Sequence, residues 1–231
     1  MIQKKLKDNL ADDESRCLAE LNEKHMEFVF FSADTNQNKE NKEKAREYVM
    51  QLLNSAENEC LICDPYFKKE DFEKYIFFME KLDVKVRIIN SEKQLGNISA
   101  PDSEDYLLKL NDCINYYNRK VGREVAECRS LTKNLSIHDR FIIIDDCGWL
   151  IGSSLNEFGN RASSICKIPQ GSLEYMRKNF ERWWNDTENS ESLDGYIQRK
   201  VKLNASQEGK LLKHITHLTR VLNSLKSQLA K

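Results

Sequence analysis

The spacing of hydrophobic positions changes several times along the chain, and each change marks an element. Residues 1–24 are polar with a thin apolar line at Ile2, Leu6, Leu10, Cys17 and Leu21, which predicts a polar helix. His25 to Phe31 gathers aromatic and β-branched residues and predicts a strand. Asp34 to Asn41 is polar and reads as a loop. Lys42 to Ala56 carries Ala45, Tyr48, Val49, Leu52 and Leu53 at helical spacing. Glu59 to Phe67 is a short apolar run ended by Pro65, a buried strand whose C-terminal end carries Asp64. A helix over Glu70 to Leu82, a strand over Val84 to Ile89, a polar loop with Gly96 and Pro101, a helix over Ser103 to Lys120 and a strand over Glu124 to Leu131 follow.

From Ile137 the pattern is strand, turn, strand. Phe141 to Ile144 is apolar at consecutive positions, so both faces of that strand are buried. Asp146-Cys147-Gly148 makes the turn and Trp149-Leu150-Ile151 returns. Ala162 to Ile168 is a further strand stopped by Pro169, and Ser172 to Trp184 is a helix. This order predicts an α/β fold, a mixed β-sheet sandwiched by helices. After Asn185 the chain is polar until Leu203. Then Leu211, Ile215, Leu218, Leu222, Leu225 and Leu229 recur at alternating spacings of four and three. That is an a/d seam, which either packs back on its own domain or pairs as a coiled coil. The strict period on an otherwise polar helix favours the coiled coil. Three segments result: a polar helix over 1–24, an α/β domain over 25–190, and a heptad helix over 200–231.

Composition sharpens this picture. The 231 residues include only 8 Gly and 3 Pro, so the chain is not a low-complexity protein. Its 36 basic and 37 acidic residues give a net charge of −1, with no global pull toward an anionic partner. The charge is unevenly spread. Residues 199–231 carry eight basic groups and one acidic, a net of +7, on an acidic body. This basic arm is either a solvated helix face or a contact for something anionic. No apolar run approaches the ~18 residues a membrane span needs. The charged N-terminus lacks the apolar core of a secretory signal, so a cytoplasmic chain without membrane contact is expected. Seven scattered Cys, at 17, 60, 63, 113, 128, 147 and 166, argue against a disulfide framework.

The chemistry concentrates at one histidine. Cys60 and Cys63 are three apart in a strand, so they point to opposite faces and cannot share a metal. His214 and His217 could touch one metal but have no carboxylate or Cys beside them, and read as solvated helix residues. Neither a metal nor a cofactor is expected. His138 and Arg140 are two apart on a strand and project to one face. Small hydroxyl residues, Ser153 and Ser154, end the neighbouring strand. An imidazole beside a guanidinium and hydroxyls suits a phosphate: Arg offers a two-pronged fork, and His can act as nucleophile or general acid. The competing reading is a structural His and Arg satisfied by local hydrogen bonds.

The run His138-x-Arg140-x4-Asp145-x6-Gly152-Ser153 resembles the HxKxxxxDxxxxxxGSxN motif of the phospholipase D superfamily. The run Ala45 to Phe67 is similar to the first helix and strand of such domains, and Val84 to Asn90 to the second strand. The likeness spans roughly 40–187. It implies His138, Arg140, Asp145 and Ser153 as catalytic residues, and Arg140, Ser153, Ser154, Asn156 and Glu157 as substrate contacts. It also implies a metal-independent reaction using two histidines, one forming a phosphohistidine and the other protonating the leaving oxygen. A chain with one motif must then pair with a second copy about a twofold axis. Three positions depart from the pattern. Arg140 stands for the lysine and Leu155 for the asparagine, with Asn156 one place late. The glutamate expected beyond the motif is missing from Arg161 to Ser164, leaving Glu157 nearest. By analogy the likeness implies a homodimeric nuclease, with the basic tail holding the phosphate backbone. The alternative is a catalytically degenerate dimerisation module whose C-terminal helix recruits a partner protein. The departed asparagine and glutamate are the features that separate the two.

Overall fold

Eight strands line up as one sheet, the central ones buried on both faces and the outer ones on alternate positions. The structure, a computed structural model, describes residues 28–32, 38–92, 106–132, 135 and 137–229, with backbone alone at 38, 39, 204, 214 and 220–229. The helix expected over 1–24 lies outside the described residues, as do the side chains of Leu222, Leu225 and Leu229. In chain order the elements are β1 (Phe28–Phe31), α1 (Asn38–Asn54), β2 (Glu59–Cys63), α2 (Lys69–Tyr75) with a 3-10 turn at Ile76–Phe78, and β3 (Lys85–Ser91). Then come α3 (Tyr106–Val121), β4 (Ala126–Leu131), β5 (Arg140–Ile144), β6 (Cys147–Ile151), β7 (Ser163–Lys167), α4 (Gln170–Asn185), β8 (Ser190–Ser192) and α5 (Leu193–Leu229). The sheet order is β1-β7-β6-β5-β2-β3-β4-β8. β2, β3 and β4 are parallel, each crossing over through a helix, whereas β5, β6, β7 and β1 join antiparallel. The mixed sheet expected from the element order is present.

One face of the sheet, with Leu61, Cys63, Ile89, Phe141 and Ile143, packs against Leu173, Phe180 and Trp184 of α4. Each such buried side chain is worth roughly 1.5–3 kcal/mol. Arg87 pins the helix as well. Its guanidinium grips both oxygens of Glu181, reaches Glu59 at 3.2 Å, and lies over the Phe180 and Trp184 rings. Arg177 joins Glu59 to the backbone carbonyl of Asp145. The other face carries Cys60, Ile62, Val86, Ile88 and Ile142. Helices α1 to α3 bury Ala45, Val49, Leu53, Phe72, Tyr75, Leu110 and Ile114. Phe141 to Ile144 are all buried, as the consecutive apolar run requires.

Four local readings change. The helix expected over 70–82 stops at Tyr75 and tightens into the 3-10 turn Ile76–Phe78, after which the chain is extended and Asn54 Oδ1 accepts the Glu80 N–H. The β5–β6 turn is Asp145-Asp146, with Asp145 at φ 45°, and Gly148 lies inside β6. A Cβ on Gly148 would stand 2.5 Å from Leu173 Cδ1, so this glycine serves the approach of α4 rather than the turn. β5 begins at Arg140, not Ile137. Its neighbours end there: Pro65 follows β2 without an N–H to donate, and Gly152 turns to β7. Finally, the polar stretch after Asn185 is not free of structure, since α5 starts at Leu193. Ser192 Oγ accepts the Gly195 N–H at 3.1 Å, an N-cap. The chain divides into two units, Met1–Glu191 and Ser192–Lys231; the second holds a helix 37 residues long on which Leu211, Ile215 and Leu218 are exposed.

Candidate active site

The register of the sheet decides which loops meet. Ile151 of β6 stands opposite Arg140 on one side and Ile165 on the other. Gly152 and Ser153 therefore leave β6 at the end where β5 and β7 begin and β2 finishes. The Gly152 N–H donates to the Ser164 carbonyl at 2.8 Å. Ser153 Oγ then lies 3.0 Å from Ser163 Oγ.

His138 stands two residues ahead of β5 and is exposed, while Ile137 before it is buried and anchors the segment. Arg140 opens β5, half-buried, with its guanidinium 5.3 Å from the Tyr66 ring centroid. Its Nε is buried and has no hydrogen-bond partner among the described residues. The site thus offers an accessible imidazole, a guanidinium with an unused donor, and a hydroxyl pair. Such a set can hold and attack a phosphodiester.

Two carboxylates are buried at this end. Asp64 follows β2; its Oδ2 accepts the Leu155 N–H at 2.7 Å and its Oδ1 the Tyr66 N–H at 3.0 Å. Burial pushes its pKa up, while those two N–H groups and the Arg140 charge pull it down. Asp71 accepts the Lys68 N–H at 3.0 Å. Burial raises its pKa to about 7, against the Lys68 N–H and with help from the Asp64 charge. No group of three or more His, Cys, Asp or Glu among the described residues is arranged to hold a metal ion. The buried thiols of Cys60 and Cys63 are both pushed well up by burial.

His138, Arg140 and Ser153 are therefore brought to one end of the sheet. Ser154, Asn156 and Glu157 continue the same loop, but Ser154 Oγ donates to Asn156 Oδ1 and Glu157 accepts from Asn160. None of the three makes a hydrogen bond to His138 or Arg140. Leu155, at the motif asparagine position, has its side chain buried and its carbonyl 3.4 Å from the Tyr75 hydroxyl. Asp145 is not at this end at all. It sits in the β5–β6 turn, where its carboxylate accepts the N–H groups of Glu57, Asn58 and Glu59. Its grouping with His138 is corrected: the sequence offset of seven spans a whole strand. Asp64, Tyr66, Asp71 and Ser163 join the site without having been assigned a role from sequence. The aspartate ending an apolar run before Pro65 was a readable signal for Asp64; nothing in the pattern marked the others.

A family model described as the cardiolipin synthase PLD-like domain matches residues 49–184, more than half of the chain. The chain belongs to the phospholipase D superfamily. Its PLD-like fold is similar to that of phosphatidylserine synthase from Haemophilus influenzae Rd KW20, with TM-score 0.53 and 11% identity over 79% of this chain and 43% of that one. Nuc of Salmonella typhimurium, a phospholipase D family member, aligns with TM-score 0.48 and 18% identity over 64% of this chain and 90% of its own. TrmBL2, an archaeal chromatin protein with a novel mode of DNA binding, aligns with TM-score 0.42 and 14% identity, over 79% and 64%. The PLD-like chain thus spans less than two thirds of TrmBL2 and less than half of the synthase. No curated protein matches it. No helix among the described residues is long and apolar enough to cross a membrane.

Proposed function

We propose that this PLD-like chain is a phosphodiesterase that acts on nucleic acid as a homodimer, without a metal. The observation that carries the reading is the juxtaposition of exposed His138, Arg140 with its unused Nε, and the Ser153–Ser163 pair at one sheet end. In this mechanism a His138 nitrogen attacks phosphorus, and the bond from phosphorus to the leaving oxygen breaks. That oxygen takes its proton from His138 of a second copy. Water then attacks the phosphohistidine, the second imidazole accepts the water's proton, and free His138 returns. Arg140 holds the non-bridging oxygens throughout. Two exposed apolar surfaces support pairing: Phe28, Phe30 and Leu150 on the sheet, and Leu211, Ile215 and Leu218 on α5. The +7 charge of residues 199–231 supports a nucleic-acid substrate over an uncharged one.

A second reading rests on Leu155. A buried leucine in place of the asparagine contributes no polar group to substrate, which suits a non-catalytic dimerisation module. One experiment separates the two. DNA, RNA, phospholipid vesicles and bis(4-nitrophenyl) phosphate are offered in EDTA to the wild type and to His138→Ala. Cleavage of nucleic acid that survives EDTA and vanishes in the variant is expected. Inactivity on every substrate by a well-folded dimer favours the module. Loss in EDTA with recovery in magnesium overturns the metal-independent mechanism.

A further inference from the structure

Leu155, at the motif asparagine position, is buried and offers no polar side chain to Arg140. Asp64 occupies the place from which one side chain reaches everything concerned. The β2–β5 register pairs Cys63 with Phe141, so the next pair in line is Asp64 and Arg140. The carboxylate is 1% exposed and spends both oxygens on backbone N–H groups. The first, from Leu155 at 2.7 Å, fixes the loop that begins with Ser153 and Ser154. The second, from Tyr66 at 3.0 Å, fixes the residue whose ring lies against the Arg140 guanidinium.

A buried, fully hydrogen-bonded carboxylate gives each partner a fixed place, and its charge is compensated by the nearest cation. We propose that Asp64 is the positioning residue of the site, acting through Arg140. It anchors the Ser153 loop at Leu155 and the Tyr66 ring beside the guanidinium, and its charge faces Arg140 across the strand ends, so that the outer guanidinium nitrogens are set for a phosphate oxygen. Asp64 touches no substrate. This rests on Arg140 being the anion-binding group of the proposed site.

Sulfate binding tests it without requiring turnover. Sulfate keeps its charge across the working pH range, and the difference between wild type and Arg140→Met isolates the Arg140 share of its binding. Wild type, Asp64→Asn, Arg140→Met and the double variant are titrated with sulfate at low ionic strength, with melting temperature checked for each. Asp64→Asn keeps the size but loses the charge and one acceptor. It is expected to weaken sulfate binding about tenfold or more, the cost of losing a charge-assisted contact. In the Arg140→Met background the same change is expected to have no further effect. Equal losses in both backgrounds, or an unchanged affinity in Asp64→Asn, overturn the proposal and leave Asp64 a structural residue. Sulfate binding unaffected by Arg140→Met instead overturns the site reading itself, so the two failures are distinguishable. If Asp64→Asn does not fold, the linkage is read from the other side. Arg140→Met removes a charge that favours ionised Asp64, so the fall of its stability with rising pH is expected to extend to higher pH than in wild type. Parallel pH profiles overturn the proposal.

Discussion

His138 and Asp145 stand at opposite ends of β5. At about 3.3 Å per residue, the seven intervening steps separate them by on the order of 20 Å. Two residues of one motif therefore have different work: His138 is exposed at the mouth, and Asp145 joins the β5–β6 turn to the start of β2. His138→Ala is expected to abolish phosphodiester cleavage with a melting temperature unchanged within about a degree. Asp145→Ala is expected to cost about 2 kcal/mol in urea unfolding, since it strands three N–H groups and puts alanine at φ 45°. Activity per folded molecule is expected to survive it. A stable but inactive Asp145→Ala would return that residue to the chemistry.

The order of elements was legible in the sequence because β1, β4 and β7 alternate buried and more exposed positions and the central strands β2 and β5 read as apolar runs. Phe141 to Ile144 is the clearest case. The motif spacing gave His138, Arg140 and Ser153 together, since antiparallel β5 and β6 return Gly152-Ser153 to the strand's start. Asp145 misled although the offset of seven residues spans β5 and puts the two motif residues at its opposite ends. Asp64 was visible as an aspartate closing an apolar run, but only the sheet register places it, from just after β2, beside Arg140, and Ser163 beside Ser153. The start of α5 was readable: Ser192 followed by Leu193-Asp194 is a capping pattern.

Asp71 sets a pH dependence of stability. In the unfolded chain its carboxyl titrates near 3.8, and in the fold near 7. Between these values the native state holds a proton that the unfolded state has released, so stability falls as pH rises. The contribution is fully present below pH 4 and lost as pH passes about 7. Asp71→Asn keeps an oxygen for the Lys68 N–H and cannot ionise. It is expected to flatten the decline and to be the more stable protein at pH 8. Thermal melts of both from pH 5 to pH 8 measure this; superimposable profiles would exclude Asp71 as the titrating group.

Gly159 ties the Ser153 loop to α1. Its φ is +82°, and a Cβ there would lie 2.7 Å from Ala45 Cβ and 2.9 Å from Lys42 Cα. Gly159→Ala combines left-handed strain with a clash against helix backbone, and is expected to cost about 2–4 kcal/mol. Gly171 in α4 has open space at its Cβ position and no positive φ. Gly171→Ala is therefore expected to be neutral or to stabilise by up to about 1 kcal/mol. Urea midpoints decide both. Equal effects at the two sites would show that packing of this loop on α1 contributes nothing.

The C-terminal helix should act only in company. At about 1.5 Å per residue, α5 is roughly 55 Å long, and isolated helices depend on packing for their stability. Leu211, Ile215 and Leu218 are exposed on it, and a leucine kept wet forgoes roughly 1.5–3 kcal/mol of burial. A second copy held nearby by the α/β body would raise the effective concentration enough for the heptads to pair. Deleting 205–231 is then expected to weaken the dimer at least tenfold in sedimentation while leaving the melting of the α/β body intact. The deletion also removes Lys210, Lys213, Arg220, Lys226 and Lys231. Each phosphate neutralised adds about 0.7–0.9 to the slope of log affinity against log salt, so the slope for DNA is expected to shrink by up to about four. An unchanged dimer constant would assign the leucine stripe to a foreign partner or to its own domain. An unchanged salt slope would remove the tail from nucleic-acid binding and leave the phosphate contacts to Arg140 and its neighbours.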